Sequence, residues 1–498
     1  MLNWQHNSQH YDWNYLLNSL NIRTNMSHTT HRERQHTEMR TPNGIARERL
    51  LQRLRAAPRS SSTELARQLG MTAQSVRRLL RELPSGTVLA AGQTRRARYA
   101  LRRPLRGVAD DLPLYAIDAK GDARLLAPLA LVQPTGTLLP LAETKWPIPD
   151  ESRDGWWDGL PYPIDAARPQ GYLGRQLARA EHRNLGVADD PERWRDDDIL
   201  WVMSQRGADM SGNLVLGNDA YELWLHDKIR DVEPLRPAKL AGAYLEGALN
   251  AVASGGGGSS VAGEFPKFAA QRDLDGAATP HVLVKFSGAA RSVGERRWGD
   301  LLVCEHLALE RAARLPGVGA PRSRIITHGG RVFIEVERFD RVGRHGRSPL
   351  CGLDAIQAAF IGAGSSDWTE LVGRLHRMGF VEAASVAAVQ HLWWYGRLIA
   401  NSDMHLGNLS FHVDRTFRLA PTYDMLPMRY APLPGGEVPP RVFTPALPLP
   451  AQRAVWLASC GVAIDFWTDA GSDSRVSEPF RKICRANALR LGDVAARV

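Results

Sequence analysis

At 498 residues the chain exceeds what one hydrophobic core ordinarily serves, so about two to four domains are expected, and 44% apolar with 23% charged residues excludes wholesale disorder. No run nears the roughly 18–20 apolar residues that span a bilayer, the N-terminus lacks an apolar signal core, and Cys304, Cys351, Cys460 and Cys484 form no CxxC pair. These features point to a cytoplasmic chain with no membrane partner, no disulfide framework and no structural zinc. The net charge is +10, yet residues 41–106 hold 15 Arg against 3 Glu, a local +12 that leaves about −2 elsewhere and suggests a confined polyanion-binding module.

Residues 1–40, with five His and no apolar period, read as a disordered tail; their spacing matches no metal-ligand pattern. The folded pattern begins just after Met39, so translation starting at Met26 or Met39 is conceivable. Ile45, Leu50, Leu51 and Leu54 predict an amphipathic helix, and a second helix over 63–69 is expected to be capped by Thr63 and closed by Gly70. Thr72 then caps a third helix bearing Val76, Leu79 and Leu80. Segments 87–90 and 98–101 predict a hairpin tipped by Arg95 and Arg96. The whole resembles a winged helix-turn-helix domain, which would present Gln74, Ser75, Arg77 and Arg78 to the DNA groove and phosphates. Such domains also serve in dimerisation or protein docking. The +12 excess favours nucleic acid.

Residues 107–245 open with strand-rich, Pro-punctuated sequence, and helices follow. Gly255–Gly258 and Ser259–Gly263 then offer small residues whose amides can approach phosphate oxygens, or else a flexible linker; no GxxxxGK[ST] is present. Strand 281–286 ends in Lys285, a candidate phosphate-holding lysine or a snorkelling one. Val303, Cys304, Glu305, Leu307 and Leu309 follow on a helix, so Glu305 is either the partner of Lys285 or a solvated surface residue. Strand 332–337 leads into Arg338-Phe339-Asp340-Arg341, a hinge whose backbone at Glu337 to Phe339 would face a nucleotide base. Asn401-Ser-Asp403-Met-His405-Leu-Gly-Asn408 sets Asp403 and Asn408 five apart, as in the catalytic loop H-R-D-x-x-x-x-N. Asp403 is the candidate catalytic group, and Asn408 a Mg²⁺ ligand through its amide oxygen. A hairpin over 409–420 returns Asp424 as the second metal ligand. Both Asp403 and Asn408 could instead cap local structure; the order of the whole set favours the kinase reading.

The motifs Ser260-Val-Ala-Gly263-Glu-Phe-Pro-Lys267, Val284-Lys285-Phe286, Glu337 to Arg341, Asn401 to Asn408 and Ala420-Pro-Thr-Tyr-Asp424 resemble the HipA family of serine/threonine toxin kinases, in particular its YjjJ-like branch. The resemblance implies an α+β, bilobal protein-kinase-like fold behind an N-terminal winged helix-turn-helix. It divides the chain into 1–40 (tail), 41–106 (DNA-binding domain), 107–245 (N-terminal subdomain), 246–345 (ATP-binding lobe) and 346–498 (helical lobe). It also implies ATP and Mg²⁺, nucleotide contacts from Ser260, Val261, Ala262, Gly263, Lys267, Lys285, Glu337, Phe339 and His405, transfer to a protein Ser or Thr, and self-phosphorylation at Ser260. The sequence departs from the family at Cys304, where Asn is common, and at Glu264-Phe265-Pro266. An antitoxin and a homodimer are further partners the architecture leaves room for. The rival class is a DNA-binding regulator whose kinase-like body only senses nucleotide.

Overall fold

A computed structural model of the chain describes residues 42–253, 265–362 and 364–498, with only the backbone of Pro42, Asn43 and Arg95. The chain forms two units, Met1–Glu48 and Arg49–Val498. Of the first, residues 42–48 are described, the opening turns of α1 (Pro42–Ala56). Everything below lies in the second.

Helix α2 (Ser62–Leu69) starts at a capping box. The Ser61 hydroxyl accepts from Glu64 N–H at 3.1 Å, and the Glu64 carboxylate accepts from Ser61 N–H at 2.7 Å. The cap is therefore Ser61 and not the expected Thr63, because only Ser61 has a carboxylate three residues ahead to complete the box. Gly70, at φ +66°, ends α2 in the left-handed conformation that side chains resist, and Thr72 caps α3 (Ala73–Glu82) as expected. Strands β1 (Val88–Ala91) and β2 (Arg98–Leu101) pair antiparallel around a short 3₁₀ turn at Thr94–Arg96. Leu89 and Ala100 of this hairpin pack on Ala130, Val132 and Trp156, so the hairpin is docked on the next layer of the protein.

That layer is a five-stranded sheet of β3 (Leu112–Ile117), β4 (Ala123–Leu131), β5 (Thr137–Leu138), β6 (Trp156–Trp157) and, beyond helices α4 (Tyr162–Asp165), α5 (Gly171–Leu185) and α6 (Asp196–Arg206), β7 (Leu214–Leu216), in the order β6-β5-β4-β3-β7. Its neighbourhood neutralises part of the basic segment. Arg59, Arg102, Arg103 and Arg106 pair with Asp158, Asp111, Asp197 and Asp198, with both Arg103–Asp197 bonds at 2.6 Å. Four of the 15 arginines are thus spent internally.

Helices α7 (Asn218–Arg230) and α8 (Pro237–Ala253) lead into β8 (Lys267–Gln271) and β9 (His281–Phe286). With β10 (Ser323–His328) and β11 (Arg331–Glu337) these make an antiparallel sheet ordered β10-β11-β9-β8. Val282 and Val284 point to Leu240, Tyr244 and Ala248 of α8, which by the two-residue period of a strand sends Lys285 to the opposite face. On that face lies α9 (Val293–Ala312), tied to the C-terminal helices α13 (Arg453–Ser472) and α14 (Glu478–Ala495). Asp300 accepts from Ser477 N–H and hydroxyl, each at 2.6 Å, Arg311 donates to Asp469 at 2.5 Å, and the Arg297 guanidinium sits 4.2 Å from the Phe480 ring centre.

After β11 the chain turns through β12 (Arg341–Val342) and β13 (Gly346–Arg347), and β14 (Leu350–Gly352) joins β15 (Ser410–Asp414) and β16 (Thr416–Leu419) in a three-stranded sheet. Helices α10 (Leu353–Phe360), α11 (Trp368–Arg377) and α12 (Ala383–Leu398) lie between β14 and β15; with α13 and α14 they surround wholly buried Trp368, Trp456 and Trp467. The proline-broken stretch 427–450 holds only short 3₁₀ turns, as its composition demands. The architecture is mixed α/β. All four cysteines are buried and free, and among the described residues no helix is long and apolar enough to cross a membrane.

The hinge is pinned by charge. Asp340 accepts from Arg338 (3.1 and 2.9 Å), Arg341 (2.7 Å) and Gly212 N–H (2.9 Å). Burial alone would raise the Asp340 carboxyl, but Arg338 and Arg341 hold it far below the usual range. Replacing Asp340 by Ala leaves Asp209 as the one carboxylate shared by two buried guanidiniums, so the variant is expected to lose about 3 kcal/mol in urea unfolding. Because the folded pKa is depressed, the Asp340 contribution is present above pH ~4 and fades as pH falls further, a loss that the variant should not show.

Candidate active site

Lys285 joins three distant parts of the chain. Its ammonium donates to Glu305 Oε1 at 2.5 Å, from α9, and to Asp424 Oδ1, beyond β16. Lys285 and Glu305 are 5% and 1% exposed, so Glu305 is a buried partner and not a surface residue. Burial works against the Lys285 ammonium, yet Asp424 and Glu305 outweigh it and keep it firmly protonated. Burial raises the Glu305 carboxyl more than Lys285 lowers it, whereas Asp424, also raised by burial, is brought down to about 2 by Lys285 and Lys267. Lys267 stands opposite Lys285 in the β8–β9 register, on the same face of the sheet.

The catalytic-loop candidates are gathered by one residue whose place in the motif does not announce its task. Buried Asn401 accepts from Asp403 N–H at 3.0 Å through its side-chain oxygen and donates to Asp424 C=O at 3.3 Å through its amide nitrogen. One amide thus ties the two ends of a 21-residue excursion. The backbone pays locally: Ala400 and Asp424 take φ of +59° and +52°, the left-handed region that costs an ordinary side chain. Asn408 donates to Asp403 C=O at 2.7 Å, which turns its own side-chain oxygen the other way. Asp403 and His405 are exposed, Asn408 and Asn401 buried. His405 is held by Trp368, whose ring N–H donates to its carbonyl at 3.3 Å. Tyr423 donates to Gly407 C=O at 2.6 Å and lies 5.7 Å from the Phe339 ring, which brings the hinge to the edge of the site.

The remaining expectations divide. Glu337 ends β11 at the Arg338–Arg341 segment; its carboxylate accepts from Arg272 at 2.7 Å and its N–H donates to Arg322 C=O at 2.9 Å. Ser260, Val261, Ala262 and Gly263 lie outside the described residues. Among the described residues no three His, Cys, Asp or Glu side chains form a metal cage. The donor set is instead one amide oxygen and one carboxylate, Asn408 and Asp424, and Glu305 Oε2 has no hydrogen-bond donor. One amide oxygen and one carboxylate are hard donors of the kind a magnesium ion takes alongside phosphates and water.

Acid should read out the Lys285–Asp424 contact. Since the folded Asp424 pKa lies below its ordinary 3.8, its stabilising contribution is complete above that value and is lost as pH falls toward about 2. Urea unfolding between pH 6 and 2 is expected to show a loss on the order of 1–2 kcal/mol in the native chain that Asp424→Asn lacks.

The sequence comparisons agree with this arrangement. Residues 108–225 match the family described as YjjJ-like toxin, middle domain, and residues 259–478 match the HipA-like C-terminal domain. The chain is 35% identical over 461 residues to Toxin YjjJ of Escherichia coli (strain K12), covering 90% of this chain and 97% of that relative. Among solved structures it is similar to a chain of the Shewanella oneidensis MR-1 toxin–antitoxin complex of HipA, HipB and its operator DNA (14% identity, TM-score 0.45, covering 78% of this chain and 97% of that one). It is also similar to the Helicobacter pylori proinflammatory kinase CtkA (12% identity, TM-score 0.32, covering 47% and 90%). On the sequence identity and the two matched domains, the chain belongs to the HipA-like toxin family, in its YjjJ-like branch.

Proposed function

We propose that this chain is a toxin kinase that transfers the γ-phosphoryl group of ATP to a serine or threonine hydroxyl of a protein, from a bilobal kinase-like body carrying a DNA-binding domain. The observation that carries the reading is the joining of Lys285, Glu305, Asp424, Asn401 and Asp403 in one chain of contacts. Lys285 meets phosphate oxygens, with Glu305 fixing its position. Asn408 and Asp424 hold the metal; bound magnesium supplies positive charge where the transferred phosphoryl group becomes more negative. Asp403, exposed at the cleft, accepts the hydrogen bond of the acceptor hydroxyl and then its proton as the oxygen–phosphorus bond forms. Phe339 lines the base. Ser402 stands where many kinases have Arg, so control through an Arg held by a phosphorylated loop is not open to this chain. Ser260 is the proposed self-phosphorylation site.

The test is transfer of labelled phosphate. Asp403→Ala should lower it about 10²–10⁴-fold with ATP affinity unchanged, and Asp424→Asn should remove the magnesium dependence of ATP binding. Equal transfer by native protein and Asp403→Ala sinks the enzymatic reading and leaves a nucleotide-sensing regulator.

The winged helix-turn-helix reading is supported by α2, α3 and the β1–β2 hairpin. Gln74, Arg77 and Arg78 are exposed on the face of α3 opposite Val76 and Leu79, while the Ser75 hydroxyl is engaged with the Thr72 cap at 2.9 Å. Arg77→Ala and Arg78→Ala are each expected to weaken binding to duplex DNA and to reduce the slope of log K against log salt by about 1, read by fluorescence anisotropy.

A further inference from the structure

Away from Lys285, Asp403 and Asp424, a cavity of about 630 Å³ opens between α7, α8, β8 and the β12–β13 turn. That volume suits a small organic molecule. One end is a knot of charge: Arg338, Arg341 and Arg347 surround Asp209, with Asp340 behind it. Arg338 and Arg341 spend their donors on the two carboxylates and on Gly212 and Met210 carbonyls. Arg347 is different. It is 6% exposed, its Nη2 donates to Ala208 C=O at 2.6 Å, and its Nη1, buried, has no acceptor. Three guanidiniums face two carboxylates, so one buried positive charge is uncompensated. Burial, and then the nearby Arg341, pull the Arg347 pKa down to about 9, as expected where a cation lacks its counterion.

The rest of the cavity is of another character. Trp224, Ala243, Gly247 and Phe268 give it an apolar wall, and a Cβ on Gly247 would stand 2.9 Å from the Phe268 ring, so glycine is what lets α8 approach β8 there. The lining also carries Lys228, Asp227, Glu233 and Glu246, and Asp231 engaged by Arg344 and His345. A charged end that lacks one anion and an apolar wall within one cavity define a ligand with both features.

We propose that this cavity is a second ligand site, binding a small organic anion whose phosphate or carboxylate meets Arg347 and whose apolar body lies along α8 and Phe268. Arg338 and Arg341 bracket Phe339, so the occupant grips the residues that fix the hinge.

The reading is independent of the kinase proposal, and its test is run in the Asp424→Asn chain, where the proposed magnesium site is disabled. Phenyl phosphate and benzoate are titrated calorimetrically. At least one should bind, and Arg347→Gln should weaken it by about tenfold or more, the scale of one charge-assisted hydrogen bond, with partial recovery in Arg347→Lys. Ala243→Trp, which fills the apolar wall and leaves every arginine in place, should abolish binding and decides the matter should Arg347→Gln fail to fold. Binding of neither probe at about 10 mM, or affinities the same in the variants as in their parent, overturns the proposal and leaves Arg347 satisfied by water alone.

Discussion

One ammonium group organises the candidate active site. Lys285 sits on a central strand and is shared between a carboxylate 20 residues on and another 139 residues on, neither of which it could meet without the sheet, α9 and the β15–β16 hairpin all in place. Taking such charges out of water costs several kcal/mol apiece, and mutual attraction offsets that only when geometry is good. Burial raises the Glu305 and Asp424 carboxyls, whereas the two lysines nearest Asp424, Lys285 and Lys267, bring that one below its ordinary value.

The second cluster of buried charge, around Asp340 and Asp209, has a different balance. There the acids are outnumbered, and the side chains of Arg338 and Arg341 bind the turn around Asp209, Met210 and Gly212. Two charge knots thus lie toward opposite ends of the strand pair β9–β11.

Much of this was legible in residue order. Lys285 at the end of an apolar run, Asp403 and Asn408 at their separation of five, and the hairpin returning Asp424 each follow from local pattern, and strand 281–286 matches its expected bounds. What pattern does not carry is pairing over distance. The Ser61 cap, the role of Asn401 as a two-sided clip, the capture of Glu337 by Arg272 and the neutralisation of Arg59, Arg102, Arg103 and Arg106 all depend on which residue arrives opposite, and periodicity is silent on that. The last of these reduces the free charge that the basic segment can offer to a polyanion. Expectations at 260–263 and in the tail of 1–40 concern residues outside those described.

The fastening of α9 has its own consequence. Kinases that toggle by swinging the glutamate-bearing helix need it loose from the larger lobe. Here Phe480 and Ser477 hold α9 near its start, at Arg297 and Asp300, and Asp469 holds it at Arg311 in its last turn, so the helix is moored near both ends to the C-terminal pair. Fastened at both ends, the helix keeps Glu305 against Lys285 in the chain as it stands.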